Sequence, residues 1–179
     1  MKVVVVDYGS GNLRSVSKAL SLAVLDINRE YDVVVTADPE ILRCSDYIVL
    51  PGVGAFGDCF RGLSAINGLM EALNDAVVSG GKPFLGICVG MQLMAERSTE
   101  HGDFVGLGWI SGDVLPIDQA DKRQRIPHMG WNQLILGSTD HPVLDSVTNG
   151  DHAYFVHSFA MKCSNRKNVL ATTEYGGQI

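Results

Sequence analysis

The sequence has no apolar run approaching the roughly 20 residues that span a bilayer. The four valines that follow Lys2 end at Asp7, too soon for the core of a signal peptide. Membrane insertion and secretion are therefore not expected, and a cytoplasmic protein is. A basic excess is also missing: 14 Lys and Arg stand against 20 Asp and Glu, a net charge of -6. Nucleic acids and anionic membranes both require clustered positive charge, so neither is an expected partner. A small basic cluster, Lys122-Arg123-Gln124-Arg125, reads as a solvated loop or as a contact for one acidic partner surface. Cys44, Cys59, Cys88 and Cys163 have no CxxC spacing and no neighbouring histidine pair. That pattern gives no zinc or redox motif and suits reduced thiols, so no metal is expected.

Internal repeats, low-complexity tracts and linkers are absent as well. What is present, 46% apolar and 19% charged residues over 179 positions, describes one globular domain. A chain of that length buries roughly 70% of the surface it exposes when unfolded, without disulfides. Lys2 to Val6 is a continuous β-branched run, the pattern of a strand covered on both faces of a parallel sheet. A turn follows, and then Leu13, Val16, Ala19, Leu20 and Ala23 recur at helical spacing. Gly9 and Gly11 suggest a dinucleotide fingerprint, but Arg14 stands where its third glycine belongs, so a tight turn is preferred and no cofactor is expected. Residues 31–36, 47–50 and 83–87 read as further strands. Asp38 and Pro39 open a short helix, and residues 58–79 are helical with a break at Asn67-Gly68.

This alternation predicts an α/β fold with a parallel central sheet and helices on both faces, whose ligand site lies beyond the carboxyl ends of the strands. After Leu107 come strand-like runs at 109–115, 131–136, 153–159 and 168–174, expected to form a mostly antiparallel C-terminal extension of the same domain, residues 1–179. The last run leads into a hairpin turn at Tyr175-Gly176-Gly177, after which only Gln178 and Ile179 remain. A hairpin ending so soon reads as truncated.

The chemistry centres on Gly86-Ile87-Cys88-Val89-Gly90, which joins an apolar strand to a helical pattern running through Glu96. A small-x-Cys-x-small turn at such a junction is a nucleophile elbow, sharp enough to require glycine on either side. There the thiolate of Cys88 is stabilised by N–H groups at the start of the helix. A buried structural cysteine is the alternative, and it is preferred for Cys44, Cys59 and Cys163. Attack on a carbonyl creates an oxyanion, for which the N–H of Val89 and an N–H of the Gly52-Val53-Gly54 loop are the expected donors. A general base is also required. None of His101, His128, His141, His152 and His157 has an adjacent carboxylate in an obvious pairing. Each reads as structural or partner-facing.

Six segments carry a family resemblance: 7–12, 50–56, 86–92, 126–132 (Ile-Pro-His-Met-Gly-Trp-Asn), 154–158 (Tyr-Phe-Val-His-Ser) and 171–176. With these the whole chain resembles the class I glutamine amidotransferases, whose scaffold is flavodoxin-like, and within them the glutaminase subunits of imidazole glycerol phosphate synthases. The resemblance implies that Cys88 forms a glutamyl thioester and releases ammonia. It implies that Gly52, Gly54, Gln92, Glu100, His157, Ser158 and Phe159 hold the glutamine. Asn12, Pro127, His128, Met129, Gly130, Trp131, Asn132 and Tyr154 would face a (β/α)8-barrel cyclase, forming a heterodimer that makes imidazole glycerol phosphate in histidine biosynthesis. The family's catalytic histidine and glutamate belong to a His-Pro-Glu motif that would follow Ile179, so neither is assigned within these residues. A non-catalytic docking module, another class I amidotransferase and a different cysteine hydrolase on the same scaffold are the competing readings.

Overall fold

The computed structural model describes residues 1–26, 30–118, 125–137 and 141–179. Most of the basic cluster, residues 122–124, lies outside them. The central sheet contains β1 (Lys2–Val6), β2 (Asp32–Thr36), β3 (Tyr47–Gly52) and β4 (Phe84–Cys88), all parallel, in the order β2-β1-β3-β4. The valines of β1 explain why it sits inside the sheet. Val4 and Val6 join Ile48 and Leu50 on one face, and Val3 and Val5 join Val49 on the other. Both faces are covered, as the unbroken β-branched run predicts.

Helix α1 (Leu13–Asp26) packs Leu13, Val16 and Leu20 on the Val3 face. Asn12 caps it, its side-chain oxygen accepting from the Ser15 N–H at 3.3 Å. The opposite face carries α2 (Pro39–Arg43), α3 (Phe56–Ser64) and α4 (Leu69–Leu73), which bury Leu42, Phe56, Cys59, Leu63, Leu69 and Leu73. Asp38 caps α2 by accepting from the Glu40 N–H at 2.8 Å, with Pro39 in the first turn as its fixed φ favours. The break between α3 and α4 falls where expected, with Gly68 at φ +75°. After α4 the helix widens into π-type turns over Asn74–Ser79.

The elbow helix differs from its expected length. Helix α5 covers only Val89–Gln92, and β5 (Ala95–Ser98) replaces the helical continuation through Glu96. The carbonyls of Leu93, Ala95 and Glu96 accept instead from the N–H groups of Leu107, Gly108 and Gly106 at 2.8, 3.0 and 2.8 Å. These long-range pairings outweigh the local helical pattern.

Strand β5 pairs antiparallel with β6 (Phe104–Val105) and parallel with β7 (Ile110–Pro116). The remaining strands are β8 (His128–Gln133), β9 (Ile135–Leu136), β10 (His152–His157), β11 (Phe159–Cys163) and β12 (Ala171–Thr172). β11 joins β7, β10 pairs with β8 and β12 with β9, all antiparallel. The extension is thus mostly antiparallel, with β5–β7 the parallel exception. Two expected strands are divided, at Leu134, whose N–H turns to the Asp151 carbonyl at 2.7 Å, and at Ser158, whose carbonyl accepts from Ile117 at 2.9 Å. Of the run at 168–174 only Ala171 and Thr172 pair with β9: Asn168 ends a short 3-10 turn, and Glu174 instead bridges to Gln178. Beyond it the hairpin forms, Thr173 and Ile179 exchanging backbone hydrogen bonds of 2.8 and 2.9 Å.

Candidate active site

Cys88 closes β4 with φ +55° and ψ -118°, a conformation that costs a side-chain-bearing residue on the order of 1–3 kcal/mol. With His101 it is one of two non-glycine residues at positive φ among those described. The surrounding backbone enforces this geometry. A Cβ on Gly90 would lie 1.8 Å from the Leu50 carbonyl oxygen, and one on Gly86 would lie 2.6 Å from the backbone of Gly90 and Met91. Gly52, opposite Cys88 in the β3–β4 register, would place a Cβ 2.7 Å from the Gly90 nitrogen. The three glycines let β3, β4 and α5 converge to backbone contact, and the thiol is left exposed above them.

The N–H of Val89 opens α5 next to the sulfur. The adjoining loop is held from below. Tyr8 is buried and its hydroxyl donates to the Pro51 carbonyl at 2.8 Å; burial, then the neighbouring Cys59, pushes the phenol pKa well up, so the hydroxyl remains a donor. Ser10 grips both sides of Val53. Its hydroxyl donates to the Val53 carbonyl at 2.6 Å and accepts from the Val53 N–H at 3.3 Å. The buried thiol of Cys59 donates to the same carbonyl at 3.4 Å. Gly54 follows at φ +101° with nothing near its missing Cβ. Helix α3 has no side-chain cap of its own, and the Glu100 carboxylate supplies one, accepting from the Phe56 N–H at 2.7 Å. Glu100 thereby stands at the loop.

From the other side, the buried Gln92 side chain donates to the Phe159 carbonyl at 3.1 Å and ties the elbow to the start of β11. That carbonyl is also 3.0 Å from His157 Nδ1. Ser158 lies between the two, at the break from β10 to β11. The β8–β10 ribbon separates its residues by parity. Met129, Trp131, Tyr154 and Val156 are 60%, 71%, 56% and 53% exposed, with Trp131 edge-on to Tyr154. His128, in contrast, is turned inward and only 2% exposed, and Phe155 and His157 share that inner side. Pro127 and Asn12 are exposed, and Gly130 lies opposite Phe155.

The sites expected near the elbow thus converge, whereas Tyr8, Ser10 and Cys59 were not expected there. Cys59 at helical spacing behind the Gly52 loop was the available signal; Ser10 and Tyr8 gave none, because 43 residues separate each from its partner. Among the described residues no imidazole is hydrogen-bonded to the Cys88 thiol, and no group of three or more His, Cys, Asp or Glu could hold a metal. No helix among them is long and apolar enough to cross a membrane.

A cysteine at a strained strand-to-helix elbow on a parallel sheet defines a class, and the comparisons with known proteins agree. Residues 4–179 match the model of the glutamine amidotransferase class-I family, and the chain belongs to that family. Within it, the chain is 48% identical over its whole length to the imidazole glycerol phosphate synthase subunit HisH of Brucella melitensis, covering 84% of that protein. It is 50% identical, again over its whole length, to the subunit of the same name from Granulibacter bethesdensis, covering 81% of it. A solved glutamine amidotransferase structure superposes with a TM-score of 0.66 over 97% of this chain and 85% of the other, at 18% identity, a likeness of fold.

Proposed function

We propose that this chain is the glutaminase subunit of an imidazole glycerol phosphate synthase, acting in histidine biosynthesis. The carrying observation is Cys88, an exposed thiol at φ +55° at the head of α5. In this reading its sulfur attacks the side-chain amide carbon of glutamine. The negative charge passes to the amide oxygen, the proton given up by the thiol goes to the amide nitrogen, and the C–N bond breaks to release ammonia. Water then adds to the glutamyl thioester, its hydroxyl staying on the acyl carbon and its proton returning to sulfur as the C–S bond breaks and glutamate leaves. Val89 and the Gly52-Val53 peptides are the oxyanion donors, and Gly54, Gln92, Glu100, His157, Ser158 and Phe159 form the glutamine pocket. Val53 N–H is bonded to Ser10, so its use as a donor requires that bond to open. No proton-transfer role is given to His128, His141 or His157, since none is bonded to the thiol.

The partner is a cyclase subunit of (β/α)8-barrel type, in a cytoplasmic heterodimer. The apolar outer face of the β8–β10 ribbon, carrying Met129, Trp131 and Tyr154, is the docking surface together with Asn12 and Pro127. His128, Gly130 and Asn132 of the expected set lie on the inner side of the ribbon and do not belong to it. Large exposed aromatic side chains in one patch support this assignment. The test is alkylation of Cys88 by an electrophilic glutamine analogue. Fast labelling of Cys88 alone, slowed by free glutamine, is expected. Labelling no faster than at Cys44, or indifferent to glutamine, would refute the glutaminase reading.

A further inference from the structure

On the inner side of the β8–β10 ribbon, two histidines face each other across the register pair His157–His128. His157 Nδ1 lies 3.0 Å from the Phe159 carbonyl oxygen, and because a carbonyl only accepts, this nitrogen carries the hydrogen. In the neutral ring Nε2 then has a lone pair. It is 3.0 Å from His128 Nδ1, which must therefore carry a hydrogen of its own. His128 Nε2 in turn accepts from the Asn132 amide at 3.3 Å, and the same amide donates to the Glu174 carbonyl at 2.9 Å. The donor order is fixed from end to end: Asn132, His128, His157, Phe159.

With both rings neutral, the geometry places the hydrogen of each on Nδ1, and a further proton on either Nε2 would set N–H against N–H. Burial lowers both pKa values, with His157 adding to the effect at His128. Phe155 and Tyr175 stack on the His128 ring, centroids 4.8 and 3.9 Å away, and the Tyr175 hydroxyl donates to the Arg125 carbonyl at 2.6 Å. The His101 ring lies 6.5 Å from that of Phe159. The Phe159 carbonyl at the end of the chain of hydrogen bonds is the oxygen that accepts from Gln92, four residues after Cys88.

We propose that His128 is a positioning residue for glutamine: its Nδ1–H holds His157 as a neutral donor, and His157 pins the Phe159 carbonyl where Gln92 reaches it, keeping the 157–159 corner in the shape that receives substrate. The substrate half of this inference rests on the glutaminase reading; the relay itself does not.

Two substitutions separate the hydrogen bond from ring packing. His128→Phe keeps a stacked ring and removes the donor, whereas His128→Asn loses the ring and keeps an N–H near the place of Nδ1. Nitrogen NMR on the full chain should find both wild-type rings as Nδ1–H tautomers at neutral pH. Donation to His157 Nε2 favours its neutral form, so the titration midpoint of His157 should rise in His128→Phe and return in His128→Asn. An Nε2–H tautomer in the wild type, or no rise in His128→Phe, overturns the relay. The substrate half is read from the glutamine concentration that half-protects Cys88 from alkylation. His128→Phe should raise it about tenfold, the weight of one hydrogen bond, and His128→Asn should restore it. Equal weakening by both variants would assign the effect to ring packing and overturn the positioning role. If glutamine fails to protect the wild type at all, the positioning role falls with the glutaminase reading, and the titration still decides the relay.

Discussion

Cys88 has no room to relax: its φ of +55° is imposed by backbone on both sides, and its sulfur is the exposed group that results. Cys88→Ser places an alcohol of much higher pKa at the elbow, and glutamate release should fall by roughly 1000-fold or more with the melting temperature little changed. Gly90→Ala acts in the opposite way. Its methyl would overlap the Leu50 carbonyl at 1.8 Å, so urea denaturation should show a loss of about 3 kcal/mol, with the elbow displaced. Ser10→Ala removes the acceptor that engages the Val53 N–H at 3.3 Å. If that N–H serves the oxyanion, turnover without the partner should rise about fivefold, the weight of roughly 1 kcal/mol; an unchanged or lower rate in a glutaminase assay would refute the role of Val53.

Among the elements, α2 depends on its first turn, and Asp38→Ala should cost about 1 kcal/mol in equilibrium unfolding because the Glu40 N–H loses its acceptor. The β8–β10 ribbon brings a pH dependence. Both inner histidines have pKa values below the ordinary 6.5, so an unfolded chain takes up protons before the folded one as pH falls. Stability from these groups is complete above 6.5 and is lost as pH drops from there through the folded values. The urea midpoint should fall between pH 7.5 and 5.5, and less steeply in His128→Phe. These same elements mark what the sequence discloses. Buried parallel strands announce themselves through runs such as Val3–Val6, and the elbow through glycines placed two residues either side of Cys88. Strand β5 is hidden because Ala95, Glu96, Arg97 and Ser98 have no β-branched or alternating signature, and only their pairing with β6 and β7 makes them a strand. The histidine pair is hidden for a similar reason: 29 residues separate its members, and strand pairing alone makes them neighbours.

At the scale of the whole molecule, a net charge of -6 is spread over a surface whose β8–β10 ribbon presents Met129, Trp131, Tyr154 and Val156 together. Trp131→Ala should weaken cyclase binding by about 2 kcal/mol, roughly 30-fold, as central aromatic anchors do. The melting temperature of the isolated chain should stay close to wild type, since the side chain is 71% exposed. Binding is read by titration calorimetry. The alternation of that ribbon has a heritable consequence. Deleting the codon for Gly130 would reverse the facing of every β8 residue on one side of the gap, so that either His128 and Met129 or Trp131 and Asn132 exchange faces. The exposed apolar patch and the contacts of the inner histidine side would be disrupted in the same event. Insertions in the flanking loops carry no such penalty, so the length of this strand passes down a lineage as a single indivisible trait.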